Sequence, residues 1–406
     1  MNYKKFIELS MIISLFFFPL ICYGEGKQKE WRWAGVIGVR MIDGDYYNEI
    51  VFHPEFKRGK FGIGLNLLCR WNEEDGFREE DWEEVGNIVN YIRWANKDDS
   101  PLYIYLGKLS EATLGHGFIV DRYSNQGTDT SKNFLGANID INFKNGGVET
   151  LINDITDPRL YGGRIYFLPL KNLNNPLLCK IIIGATYVND TKPQIGDKDN
   201  LSVYGLDFEL PIYKEVLGFY TDYAKISGFG DGLSVGLGGK LNLVSVNTIL
   251  GYKTEFRDLD SNFVPALFNP LYEIRRNGTS SIQQAESQTG WYSGANLDIA
   301  RLILLSSGYE DLKETIAPRL HLELLLKKEL FQLIIKQNIS VFFLYDHERR
   351  QKGYHLLDFN APNSTLTEKI NFELSKNISL SYIYQKVYDN IGNKSQTSSF
   401  GTKVKF

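Results

Sequence analysis

The sequence predicts an all-β chain: a single-chain antiparallel transmembrane β-barrel of about twenty strands, within roughly sixteen to twenty, closed by its N- and C-terminal strands. Three observations predict it. The chain ends on Phe400-Gly401-Thr402-Lys403-Val404-Lys405-Phe406, where apolar or tolerant side chains alternate with small or charged ones. Segments of the same period two recur through most of its 406 residues. After the first two dozen residues, no apolar run reaches the length of about eighteen that a membrane-spanning helix needs. In lipid only helices and closed barrels satisfy their backbone polar groups, so a chain of this kind enters a bilayer as a barrel.

In chain order, residues 1–24 read as a cleaved signal peptide. Lys4 and Lys5 give a basic start, Met11 to Ile21 an apolar centre, and Cys22-Tyr23-Gly24 places small residues at a cleavage site before Glu25. Ile21 before Cys22 argues against lipidation at that cysteine. Residues 25–406 form one unit, with no Pro/Ser-rich linker and no internal repeat beyond the hairpin rhythm. The formal net charge of −4 gives no general attraction to nucleic acid. Aromatic residues make up 14% of the chain, mostly Tyr and Phe, which favour strands and the interfacial girdles of membrane barrels.

Phe61, Ile63, Leu65, Leu67, Cys69 and Trp71 share one face of a strand, opposite Gly62, Gly64, Asn66, Leu68 and Arg70. The same division marks residues 135–143, 233–243, 320–326, 331–341 and 378–384. Short turns fall at Lys57–Lys60, Asn96–Ser100, Lys144–Gly147 and Lys327–Glu329. Longer polar links fall near 72–86, 110–132, 189–200, 257–289 and 346–363. Cys69 and Cys179 each lie on an apolar strand face in this reading, so both are expected as free thiols.

A terminal strand ending on Phe406 resembles the assembly signal of bacterial outer-membrane β-barrel proteins. The resemblance covers about the last seven residues and implies an outer-membrane location in a Gram-negative cell. It also implies contact with outer-membrane lipid and lipopolysaccharide, and engagement of the barrel assembly machinery through the C-terminal strand. The long links then face outward and the short turns face the periplasm. The partner expected for the last strand is the one around Trp31 to Met41.

The polar strand faces name a lumen lining: Arg70, Asp140, Lys180, Asp207, Glu209, Lys240, His321, Glu323 and Lys336. Both signs of charge are present, which suits a water-filled pore. The link 110–132 is the third long-side connection. In general porins the third loop folds into the barrel, and that positional likeness makes His116, Asp121, Arg122 and Tyr123 the candidate constriction. Gly115 and Gly117 permit sharp turns around His116, and Phe118, Ile119 and Val120 are too apolar for a solvated loop.

No catalytic residues, metal site or cofactor are expected. His116, Asp121 and Ser124 stand close in sequence, but such residues are common in loops and no His-Glu-x-x-His helix occurs. The five histidines form no ligand-spaced pair with cysteine. The acidic link 72–86 reads as a solvated charge run. The expected function is a porin-like channel for passive or weakly selective passage of small hydrophilic solutes. The alternative is a non-channel surface receptor or adhesin that binds through its outer loops, supported by Phe263, Val264, Leu267, Phe268, Leu271 and Tyr272 in the link 257–289.

Overall fold

The computed structural model describes residues 30–405, except 43, 83–84, 98–99, 127–133, 194–199, 276–281, 283–285, 314–318, 349–356, 376 and 390–391. The expected signal peptide and Phe406 therefore lie outside the described residues.

The chain forms one closed antiparallel β-barrel whose wall contains twenty strands. Each strand pairs with its sequence neighbours, from Glu30–Ile42 on Asp45–Arg58 through to Ile378–Tyr388 on Lys394–Lys405. The seam is the pairing of Glu30–Ile42 with Lys394–Lys405, in register from Ala34↔Lys405 to Arg40↔Ser399. No edge is left for another chain to extend.

Following the cross-strand pairs around the wall fixes two faces. The outward face carries Ile165, Leu206, Leu233, Leu237, Trp291 and Phe400, all well exposed. The inward face carries Glu49, Arg70, Asp140, Arg164, Asp207, Glu255 and Arg257, all buried. The alternation is inverted relative to a soluble barrel, and it is the distribution that lipid outside and water inside require.

The strand over residues 61–72 is interrupted at Asn66. Its register on Asp45–Arg58 runs straight through the break, from Arg58↔Phe61 to Asn48↔Trp71. On its other side the pairing with Val89–Trp94 shifts between Gly64 and Leu65. The next two strands, Val89–Trp94 and Leu102–Gly107, are only 6 residues each. Gly107 ends the second at φ 149°, where a Cβ would lie 2.5 Å from the Asn90 carbonyl oxygen. Only glycine fits that turn, which sends the chain into the barrel.

The longest links gather at one end of the barrel, together with the tight connections between Ile42 and Asp45 and between Ile226 and Asp231; the other end carries short turns, with two exceptions. Residues 168–181 make a longer link at the short-turn end. Residues 327–338 contain the helix Lys328–Ile335, where a tight turn and a strand over 331–341 were expected. The stretch Lys328-Glu-Leu-Phe-Gln-Leu-Ile-Ile335 suits both a period-two and a helical reading, and the helix prevails. Lys336 is therefore not on a lumen strand; it caps this helix in a left-handed conformation at φ 56°. Lys180 is corrected in the same way, since it sits in the short 3-10 turn Leu178–Lys180. Cys179 shares that turn rather than a strand, and both Cys69 and Cys179 are free.

The apolar core lies inside the barrel, towards the long-link end. Leu151, Leu160, Val188, Val203, Ala224 and Ile226 point inward there. They are covered by Leu114, Phe118, Val120 and Tyr123 of one link and Phe263, Leu267, Phe268 and Tyr272 of another. Each fully buried side chain of this size contributes about 1.5–3 kcal/mol. Two loops are thus held within the barrel by a core of their own.

Candidate functional site

The link after Gly107 enters the lumen and folds back on itself as a small hairpin. Ala112 and Tyr123 exchange backbone hydrogen bonds, with N···O distances of 3.0 and 2.8 Å, and the Leu114 N–H donates to Val120 at 3.2 Å. Asn125, fully buried, ties its base to the wall. Its side-chain oxygen accepts from the Leu109 N–H at 2.9 Å, and its amide donates to the Asn153 carbonyl at 2.8 Å.

The hairpin is clamped by the link 260–287. The Ala266 N–H donates to Phe118 at 2.8 Å, Phe268 to Ile119 at 3.2 Å, and Asp121 back to Phe268 at 3.0 Å. Tyr123 donates its hydroxyl to Glu273 at 2.5 Å, and Tyr272 donates to Asp190 at 2.7 Å. Phe263, Leu267, Phe268, Leu271 and Tyr272 are therefore buried inward, and Val264 packs against them. They do not form the outer surface on which the receptor reading depended.

At the hairpin tip, Gly115 and Gly117 take φ of 56° and 88°. The Gly115 N–H donates to Glu149 at 3.0 Å. His116 then reaches the wall, with Nδ1 3.0 Å from Asp222 and Nε2 3.4 Å from Glu209. Its ring stacks on Tyr220 at a centroid distance of 4.3 Å. Its carbonyl accepts from Lys253 Nζ at 3.1 Å. Burial alone would lower the imidazole pKa, but the hydrogen bonds and charges of Asp222 and Glu209 overcome it and raise the value to about 9. His116 is a cation at neutral pH, held between two carboxylates.

On the opposite side of the hairpin, Arg122 donates through Nη1 to Ser306 at 2.9 Å and through Nη2 to His321. His321 contacts Asp346 at 3.0 Å. The hairpin is thus pinned to the wall on both sides by polar side chains 106 and 199 residues away in sequence. Between Arg122 and the wall is a cavity of about 300 Å³, lined among others by Asp121, Lys253, Arg257, Glu310, His321 and Asp346. Gly251, Gly294, Ser306 and Gly308 make its wall shallow and leave that space.

Around this level the inward charges pair. Arg164 makes a bidentate contact with Asp207 at 2.9 and 2.6 Å and a third to Glu149 at 3.3 Å. Arg257 bonds Glu255 and Glu310 and lies over Tyr292 at 4.2 Å. Across the barrel, Glu49 accepts from Arg40 at 3.0 Å and Arg70 at 2.7 Å, and Arg70 also reaches Asp81 at 2.9 Å. Asp81 of the acidic link is thereby buried rather than solvated. Lys108 stands apart, with no hydrogen bond or ion pair among the described residues. Burial, then the nearby charges of Arg40 and Arg70, lower its pKa to about 8.

No family model matches the sequence, and no curated protein matches it. Solved structures resemble it across nearly the whole chain. OccK5 (OpdH) of Pseudomonas aeruginosa has 10% identity, covering 95% of this chain and 99% of that one, with a TM-score of 0.39. The outer membrane protein opdK of the same species has 8% identity, covering 93% and 99%, with a TM-score of 0.39. A BenF-like porin from Pseudomonas fluorescens Pf-5 has 9% identity, covering 94% and 100%, with a TM-score of 0.39. At that degree of superposition the likeness carries no functional inference.

Of the residues singled out in the sequence, His116, Asp121, Arg122 and Tyr123 all lie on the inserted hairpin. The first three border polar space, whereas Tyr123 is fully buried in the apolar core. The strand pairing puts Arg70, Asp140, Asp207, Glu209, Lys240, His321 and Glu323 on the inward face. Lys240 lies near the short-turn end. The wall partners Glu149, Arg164, Asp222, Arg257 and Asp346 carry no local signature. Their one sequence signal is a charge at an inward-facing strand position.

Gly232-Leu233-Ser234-Val235-Gly236 has the spacing of a nucleophile elbow, but it lies within the continuous strand Asp231–Leu243. Ser234 is fully buried, its hydroxyl has no hydrogen-bond partner, and both His116 nitrogens face carboxylates. Nucleophile and base are not paired there. Among the described residues, no group of three or more His, Cys, Asp or Glu side chains is placed to hold a metal.

Proposed function

We propose that the protein is a porin-like channel of the bacterial outer membrane, passing small hydrophilic solutes through a lumen narrowed by the hairpin at residues 108–126. The observation that carries this reading is the combination of two features. The closed wall is apolar outside and charged inside, and a long link is fastened within it, by the His116 ion pair with Asp222 on one side and by Arg122 hydrogen bonds to Ser306 and His321 on the other. Such a wall fits lipid, and such a lumen fits water and polar solutes.

The charges are amphoteric. Arg122, Lys253, Arg257 and His116 face Asp121, Glu209, Asp222 and Glu310 across short distances, giving a transverse field at the narrowing. This composition favours weak selectivity over strict exclusion of one sign. The apolar residues Phe263, Leu267, Phe268 and Tyr272 of link 260–287 serve to seat the hairpin.

The test is electrical. Purified protein added to a planar bilayer is expected to give stepwise, ohmic conductance. A folded barrel that inserts and stays silent would refute the channel reading.

A further inference from the structure

The outward face of the barrel carries a furrow of about 650 Å³. Two rows of cross-strand neighbours build it. One row runs Val148–Ile165–Ala185–Leu206–Tyr223, and the next, towards the long-link end, runs Gly163–Tyr187–Tyr204–Lys225. Ala185 and Gly163 supply too little side chain to fill the surface. Ile165 and Leu206 stand up as ridges on either side of Ala185, 61% and 60% exposed.

The furrow cannot relax inward, because the same wall is backed by the inserted hairpin. A Cβ on Gly205 would lie 2.5 Å from Ile119 Cδ1. It is therefore a fixed depression rather than a gap that side chains can close.

Its long-link end is chemically different from its floor. Tyr187 and Tyr204 pack there in a tilted arrangement, with ring centroids 5.2 Å apart and an interplanar angle of 43°. Lys225 is next to the last residue of the strand Leu217–Ile226. It is exposed and makes no ion pair among the described residues. The nearby Asp231 carboxylate faces the Tyr223 hydroxyl. An apolar furrow in a lipid-facing wall, with tyrosines and the exposed Lys225 ammonium at its long-link end, opposite Asp231 on the next strand, is complementary to a lipid with an anionic headgroup.

We propose that this furrow holds an acyl chain of a phosphate-bearing lipid of the outer leaflet, with Lys225 against the phosphate. The proposal rests on the membrane-barrel reading. Tyr187 and Tyr204 position the headgroup, and Ala185 admits the chain.

The test is native mass spectrometry of the detergent-purified protein, titrated with diphosphoryl lipid A or with phosphatidylcholine. The wild type is expected to retain one lipid A molecule in preference to phosphatidylcholine. Ala185→Phe, which fills the furrow, is expected to weaken that adduct by about tenfold or more. Lys225→Gln, an exposed change that leaves the fold alone, is expected to abolish the preference for the phosphorylated lipid while retaining some binding. Unchanged adducts in both variants would overturn the proposal. So would a dimer mass that Ala185→Phe abolishes, since the occupant would then be a second copy of the chain. The gel shift between unheated and boiled samples is measured in parallel. Its absence in the wild type would sink the barrel reading itself, whereas its presence with unselective lipid adducts sinks only the furrow.

Discussion

Replacing His116 by Gln removes the charge that holds the hairpin tip to the wall while keeping a polar side chain of similar length. The magnitude follows from the geometry. An unperturbed histidine titrates near 6.5, and Asp222 and Glu209 raise His116 to about 9. That difference corresponds to about 3 kcal/mol favouring the docked hairpin. The sign is that of a raised pKa: the stabilisation is complete below about pH 6.5 and fades as pH rises through about 9. Single-channel recording across pH 6 to 10 is the assay. The wild type is expected to conduct steadily at neutral pH and to show hairpin-scale fluctuations as pH passes about 9. His116→Gln is expected to fluctuate at every pH, with no transition near 9, because it also leaves Asp222 buried without a cationic partner. Identical, pH-independent traces from both proteins would refute the reasoning.

Other outcomes follow from the same contacts. Val120 is fully buried between the two inserted links, so Val120→Asp is expected to cost more than about 3 kcal/mol locally and to raise conductance by freeing the hairpin. Arg164→Met leaves Asp207 buried without its bidentate partner, a loss of about 3–5 kcal/mol, read as a lower temperature for the folded-to-boiled gel shift. Arg257→Met leaves Glu310 without its cation and Glu255 with Lys253 as its remaining one beside the cavity, and reversal potentials in a salt gradient should move towards cations by roughly twofold or more in permeability ratio. Lys108, with its pKa lowered to about 8, should add an anion preference at pH 7 that disappears by pH 9 and is missing in Lys108→Gln.

The barrel was legible in the sequence because lipid imposes apolar side chains on every second residue. Residues 233–243 and 378–384 show that division plainly, and it holds in the structure. The seam between the last strand and the strand around Trp31 to Met41 was legible for the same reason. The helix Lys328–Ile335 was not, since a run of five apolar residues among eight satisfies both periods. The insertion of link 260–287 was visible only as an excess of apolar residues. Its target could have been inferred from Leu151, Val188, Val203 and Ala224, which are apolar at inward positions where a water-filled lumen would select polar ones. His116 stood out, but its partners Asp222 and Glu209 could not be named, because nothing local marks two aspartates or glutamates as facing a loop about a hundred residues away.

The most direct measurement is single-channel conductance with and without the hairpin tip. Residues 115–124 are removed and the flanks joined by a short Gly-Ser link, keeping the Asn125 anchor. A lumen narrowed by this segment predicts stepwise channels of clearly larger conductance in the shortened protein, with the unheated gel shift retained. Channels of unchanged conductance in a barrel that keeps that shift would contradict the claim that the hairpin sets the opening.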